Sequence, residues 1–208
     1  MRDYKDNIAL AVLILINIIG VIGFCTESMT PLFKILTPYN LLFTLVICFL
    51  YLPRKIFISN FFLLFTIGFG VEFLGVKTGL LFGNYHYGST LGIQFFNVPL
   101  IIGVNWFVLA IGSRGCANYI TQKNSLQVLF AALFMVVLDV LIEPIAMRYE
   151  FWSWHQNKVP LQNYIMWFLV SIVMQVLLNK KSKFIPFSLA IVVLISQFIF
   201  FGALLLFL

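Results

Sequence analysis

The stretch Phe130-Ala-Ala-Leu-Phe-Met-Val-Val-Leu-Asp139-Val-Leu-Ile-Glu143-Pro144 is an apolar run of helical length that carries two carboxylic acids four residues apart near its end. A second apolar run closes in the same way, on Glu72. A charge at the centre of a bilayer costs roughly 2.5 to 3.5 kcal/mol on insertion scales, so acids in such runs face a protein interior and serve chemistry or ion movement.

Working outward, 62% of the 208 residues are hydrophobic, 10% are charged and 24 are Phe, which is the composition of an integral membrane protein. Apolar runs lie at Ile8 to Phe24, Pro38 to Leu52, Ile56 to Gly75, Val98 to Gly112, Leu126 to Ile142, Tyr164 to Leu178 and Pro186 to Leu208. Each is near the roughly 17 to 25 residues that span a bilayer. The expected fold is all-α: a polytopic membrane helix bundle of about seven transmembrane helices, in a single integral membrane domain over residues 1–208. The second and fourth runs are among the shortest, which suits tilted or partly buried segments.

Short cytoplasmic loops hold the excess of Lys and Arg. With the N-terminus inside, Arg2, Lys5, Arg54, Lys55, Arg114, Lys123, Lys180, Lys181 and Lys183 form the inner set, against Lys34, Lys77, Arg148 and Lys158 outside. The expectation is a multi-pass protein of the cell (plasma or inner) membrane with a cytoplasmic N-terminus. The net charge of +6 then reflects topology and contact with anionic membrane lipid, and no nucleic acid partner is expected, because the cations are scattered over loops. Val21-Ile-Gly-Phe24 before Cys25 lacks the small residue of a signal-peptide cleavage site. Cys25, Cys48 and Cys116 are too dispersed for a disulfide framework or a cysteine metal site.

Spans three and five run in the same direction, since one complete span separates them. Glu72, Asp139 and Glu143 lie near the C-terminal ends of those two spans and therefore reach the same membrane face. The four-residue spacing puts Asp139 and Glu143 on one side of their helix. Pro144 disfavours helical geometry at the residue before it, which predicts Glu143 at the mouth of the bundle. Two long aromatic loops, Val76 to Asn97 and Met147 to Asn163, emerge on this face and bring Tyr85, His86, Tyr87, Trp152 and Trp154 to the acids. Long loops of this kind are often functional.

Desolvation favours the neutral form of a carboxyl group and a neighbouring carboxylate favours it further, so one member of such a set can hold a proton to donate. Aromatic faces stabilise a nearby cation. Protonation of a carbon–carbon double bond needs both services. Capture of the cation by water gives a tertiary alcohol, whereas ring closure and proton loss give a cyclic product.

The block Glu72-Phe-Leu-Gly-Val-Lys-Thr-Gly79-Leu-Leu-Phe82-Gly83-Asn-Tyr85-His-Tyr87-Gly-Ser-Thr-Leu91-Gly92, followed by Val98-Pro99 and Trp106, resembles the signature of the membrane carotenoid-biosynthesis family. The segment Asp139 to Pro144, with Trp152-Ser-Trp154, Val159-Pro160-Leu-Gln-Asn163 and Trp167, is similar to that family's second block. Its named activities are carotenoid hydratases of the bisanhydrobacterioruberin and γ-carotene 1′,2′ types. The resemblance implies a hydro-lyase that adds water to the terminal C1,C2 double bond of an acyclic carotenoid end, with no redox cofactor and no metal. Glu72, Asp139 and Glu143 are the expected catalytic, proton-transfer set, and Tyr85, Tyr87, Trp106, Trp152, Trp154 and Asn163 the expected substrate contacts. The implied partners are a lipid-soluble carotenoid and other carotenoid-pathway enzymes.

Blander readings stand beside these. The acids could be interfacial, and the Tyr and Trp residues could form an interfacial aromatic belt. His86 and His155 lack a ligand set for a metal, Glu150 reads as solvated, and Arg148 could pair with Glu143 or Glu150. A carotene cyclase would use the same protonation, and a proton-coupled transporter would also carry intramembrane acids. The transporter reading is opposed by the absence of internal repeats and by the clustering of the acids at one end. A prenyltransferase would need paired carboxylates on two segments, and only one pair is present. The substrate is expected in a groove lined by Phe and Ile.

Overall fold

The computed structural model describes residues 2–178 and 183–207. Among them are seven helices long and apolar enough to cross a membrane: α1 Arg2–Cys25, α2 Thr30–Tyr51, α3 Arg54–Thr78, α4 Leu100–Ile120, α5 Asn124–Arg148, α6 Leu161–Leu178 and α7 Phe187–Leu206. The chain is a multi-pass membrane helix bundle. Lys180 and Lys181, counted above on the inner side, lie outside the described residues.

The fourth run, one of the shortest of the seven, becomes the axis of the bundle: α4 packs against α2, α3, α5, α6 and α7. It is buried from Ile101 to Ala117, with Asn105 alone in that range partly open. The helix also continues well beyond Gly112, where its apolar run was expected to end, and Arg114 becomes an interior residue rather than a loop cation. Its guanidinium donates to Asn118 Oδ1 at 3.0 Å, to the Gln175 carbonyl at 3.2 Å and to Gln127 Oε1 at 3.3 Å. A hydropathy count stops at the charge, whereas the folded bundle accepts it because polar groups of α5 and α6 converge there.

Two other expectations shift for related reasons. Helix α2 begins at Thr30 with Pro31 in its first turn and passes through Pro38, so the span starts eight residues before its expected boundary. Helix α5 passes through Pro144 to Arg148, and Glu143 is a buried helical residue, not one at the mouth. Proline costs that turn one backbone hydrogen bond, which membrane helices tolerate when neighbours enclose them. Here α4 and α6 pack against α5.

The two aromatic loops are zipped to each other. Strands β1 (Tyr85–Tyr87) and β4 (Trp152–Trp154) pair antiparallel in the register Tyr85 to Trp154, His86 to Ser153 and Tyr87 to Trp152. Side chains alternate across a strand, so the four large aromatics share the face turned to the bundle while His86 is exposed. A second ladder, β2 (Gln94–Phe95) with β3 (Val98–Pro99), leads into α4.

Candidate functional site

Beneath the β1–β4 ladder the three acids are buried, Glu72 at 4% exposure, Asp139 at 0% and Glu143 at 1%. Glu72 holds three donors. Tyr85 Oη donates to its Oε2 at 2.5 Å, Tyr87 Oη to the same oxygen at 2.8 Å, and Trp106 Nε1 to Oε1 at 3.0 Å. Two glycines on the face of α3 that carries Glu72 make this approach possible. A Cβ on Gly68 would stand 2.5 Å from Trp106 Cβ, and one on Gly75 would stand 2.6 Å from the Phe82 ring and 2.8 Å from Tyr85 Oη.

Glu143 also holds three donors. Trp152 Nε1 and Trp154 Nε1 donate to its Oε2 at 3.0 and 2.6 Å, and Asn163 Nδ2 donates to Oε1 at 3.1 Å. The same Asn163 amide donates to Asp139 Oδ2 at 2.8 Å, tying the two acids of α5 to the start of α6. Asp139 Oδ1 is buried and accepts no hydrogen bond among the described residues. Hydrogen bonds to carboxylates are the stronger kind, and buried polar atoms left out of such a network call for a functional explanation.

The two loop phenols are locked as donors. Burial, followed by the adjacent Glu72 charge, pushes Tyr85 and Tyr87 well above the ordinary tyrosine value of 10.0. The aromatic-belt reading fails for Trp152 and Trp154, which are buried with their indole N–H groups committed to Glu143. Glu150 is exposed and pairs with Lys34, and that contact holds its carboxyl below the usual range. Arg148 lies against the Tyr149 ring at 5.9 Å.

Glu72 and Glu143 face one small chamber of about 20 Å³, lined also by Tyr85, Tyr87, Trp106, Trp152, Trp154 and Asn163. Of the residues the sequence brought to the site, all border this chamber except Asp139, which is tied to it through Asn163, and His86, which the strand alternation turns outward to an exposed position. The structure adds four lining residues, Phe82, Ile102, Asn105 and Trp167. Of these, Phe82 and Trp167 stood in the two motif blocks, and Trp167 stacks on Trp106 with ring centroids 3.9 Å apart. Ile102 and Asn105 lay in an apolar run with no signal beyond a lone amide beside Trp106.

Ile102, Asn105 and Trp152 also line a second cavity of about 390 Å³ between α1, α2, α4, α5 and α7. Its walls are mainly apolar, with Ile16, Phe33, Phe43, Ile142, Phe200 and Phe201 among them. A cavity lined by Phe and Ile thus lies next to the acid chamber, with which it shares Ile102, Asn105 and Trp152. A cavity of this size is in the range of small-molecule sites. Through Asn17 and Phe200 it adjoins a groove of about 380 Å³ between α1 and α7.

Fold and site together define a class: a polytopic membrane protein with a buried carboxyl and aromatic cluster where an apolar cavity ends. Residues 35–208 match the family described as carotenoid biosynthesis protein, and the chain belongs to that family. It is similar to the bisanhydrobacterioruberin hydratase of Haloarcula japonica, with 27% identity over 115 residues that make up 49% of this chain and 37% of that protein. The chain thus spans well under half the length of this relative. No solved structure matches.

Proposed function

We propose that the protein is a carotenoid hydratase, a hydro-lyase that adds water to the terminal C1,C2 double bond of an acyclic carotenoid end. The observation that carries this reading is the junction of Glu72 and Glu143, each with three N–H or O–H donors, with a cavity that suits an apolar chain end. A carboxylic acid of the set protonates C2 and leaves a tertiary cation at C1. The faces of the lining Trp and Tyr rings stabilise that cation. Water attacks C1, its proton returns to a carboxylate, and the acid is restored with no net oxidation. Glu72 and Glu143 border the reacting end, and Asp139 acts through Asn163 and Glu143 and retains an oxygen free to carry a proton.

The name of the Haloarcula japonica relative supports hydration, and family membership supports a carotenoid as substrate. The polyene enters from the lipid of the cell (plasma or inner) membrane, into which the chain inserts as one domain with its N-terminus in the cytoplasm. Other carotenoid-pathway enzymes supply the substrate and use the product. Expression in a host that makes lycopene or γ-carotene, with mass analysis of the pigments, tests the proposal. A gain of one water, absent in Glu143→Gln, is the expected result. An isomer of unchanged mass would show cyclisation, and unchanged pigment would count against both enzymes.

A further inference from the structure

Hydration requires one water molecule to be held dry-side, next to a cation, under a lid of aromatic rings. The chamber between Glu72 and Glu143, with its volume of about 20 Å³, has room for about one water, and a buried water needs two to four polar partners. Each glutamate offers one. Among the described residues, Oε1 of Glu72 receives only Trp106 and Oε1 of Glu143 only Asn163, so each keeps an acceptor position.

The remaining polar wall is Asn105. From Ile101 to Ala117 it is the one residue of the central helix that is not fully buried, because its side chain opens onto the chamber on one side and the 390 Å³ cavity on the other. Unlike the acids and the six aromatic and amide side chains that donate to them, its amide forms no hydrogen bond among the described residues. A half-buried amide facing two cavities without a protein partner has both a donor and an acceptor to give to something else.

We propose that this chamber binds the water that is added, and that Asn105 is its positioning residue. The inference rests on the hydratase reading and specifies where the nucleophile sits. A chain end arriving through the larger cavity passes Ile102 and Trp152 and meets the water at Asn105. The π pair of the double bond forms the new C–H bond at C2 with a proton from the carboxylic acid. An oxygen lone pair of the water then forms the C–O bond at C1, and a glutamate takes the released proton. The Asn105 amide is neutral, so it can orient the water through either hydrogen-bonding group without itself quenching the cation or supplying the proton.

The test separates protonation from water capture. The full-length enzyme and Asn105→Leu, which removes the amide at similar size, are incubated in heavy water with the carotene that the wild type hydrates. Misplacing one reactant costs on the order of a hundredfold. Asn105→Leu should therefore lose hydration by about that factor while still exchanging deuterium into unhydrated carotene, because the cation forms and then returns its proton. Hydration by this variant at the wild-type rate would overturn the proposal. Loss of hydration and exchange together, in a variant that melts like the wild type, would also overturn it, by placing Asn105 in protonation or in site shape. If Asn105→Leu does not fold, Asn105→Ala is judged by the same two readouts. Failure of the wild type to hydrate any carotene would instead overturn the functional reading beneath the proposal.

Discussion

The bundle buries polar groups at two ends, and it treats them differently. Around Arg114, side chains and a carbonyl of α4, α5 and α6 converge on a guanidinium and use its donors to tie three helices together. Around Glu72 and Glu143 the donors come largely from the loop ladder, and they hold the acids beside two adjoining cavities. The helical rise of 1.5 Å per residue puts Trp106 and Arg114 about 12 Å apart along α4. Burial of charge alone therefore does not mark a functional site. The distinction lies in whether the satisfied group borders space that a reactant can enter.

The largest expected effects follow at the acid end. Glu72→Gln and Glu143→Gln keep the size of each side chain and should lower turnover by roughly a hundred- to ten-thousandfold, the usual worth of a general acid or base. Each change also replaces one acceptor oxygen with an amide N–H2 group that cannot accept, so stability should fall by about 1 to 3 kcal/mol as well, far less than the loss of turnover. Carotenoid product measured per folded molecule decides the matter, and near-normal turnover in either variant would remove that glutamate from the chemistry.

Arg114→Met should reverse the pattern. It removes the donors to Gln127 Oε1 and the Gln175 carbonyl, at about 1 to 3 kcal/mol for each group left unsatisfied. Thermal unfolding in detergent should show the loss, while turnover of the protein that remains folded stays close to wild type. A fall in turnover without a fall in stability would erase the contrast between the two ends.

Gly68→Ala probes how the acid end is assembled. The added methyl needs Trp106 to move, a strain of about 1 to 3 kcal/mol for overpacking, and the displaced indole should release Glu72. Both stability and turnover should drop, with the turnover loss smaller than that of Glu72→Gln.

A smaller effect should appear at alkaline pH. Tyr85 and Tyr87 lie well above the ordinary tyrosine value of 10.0 in the folded protein. A group raised in this way favours folding fully below its unfolded value and loses that contribution as pH climbs toward the folded value. Unfolding measured against pH should thus show stability falling above pH 10, and the Tyr85→Phe, Tyr87→Phe double variant should show a flatter fall. A steeper fall in the double variant would contradict this.

Much of the acid end was legible before folding. Alternating span direction and the four-residue spacing of Asp139 and Glu143 were enough to bring three acids to one face. The loop partners were legible only in part. Tyr-His-Tyr and Trp-Ser-Trp carry the period-two alternation of strands, yet their pairing joins segments separated by two helices, and no local signal specifies such a ladder. Arg114 and Asn105 escaped for a common reason. Hydropathy treats a polar residue in an apolar run as an end or an accident, whereas its role depends on which neighbours or cavities the central helix turns it toward. Pro144 misled in the opposite direction, since a local preference at Glu143 was overridden by the helices packed around it.

The central claim is that a carboxyl group at this end starts the reaction and water finishes it. Following solvent atoms into the product tests it most directly. Reaction in heavy-oxygen water should place that oxygen in the new tertiary hydroxyl, and reaction in heavy water should place deuterium on the adjacent carbon, with neither label depending on oxygen gas or a reductant. A hydroxyl oxygen drawn from dioxygen, with no deuterium on the adjacent carbon, would contradict the account.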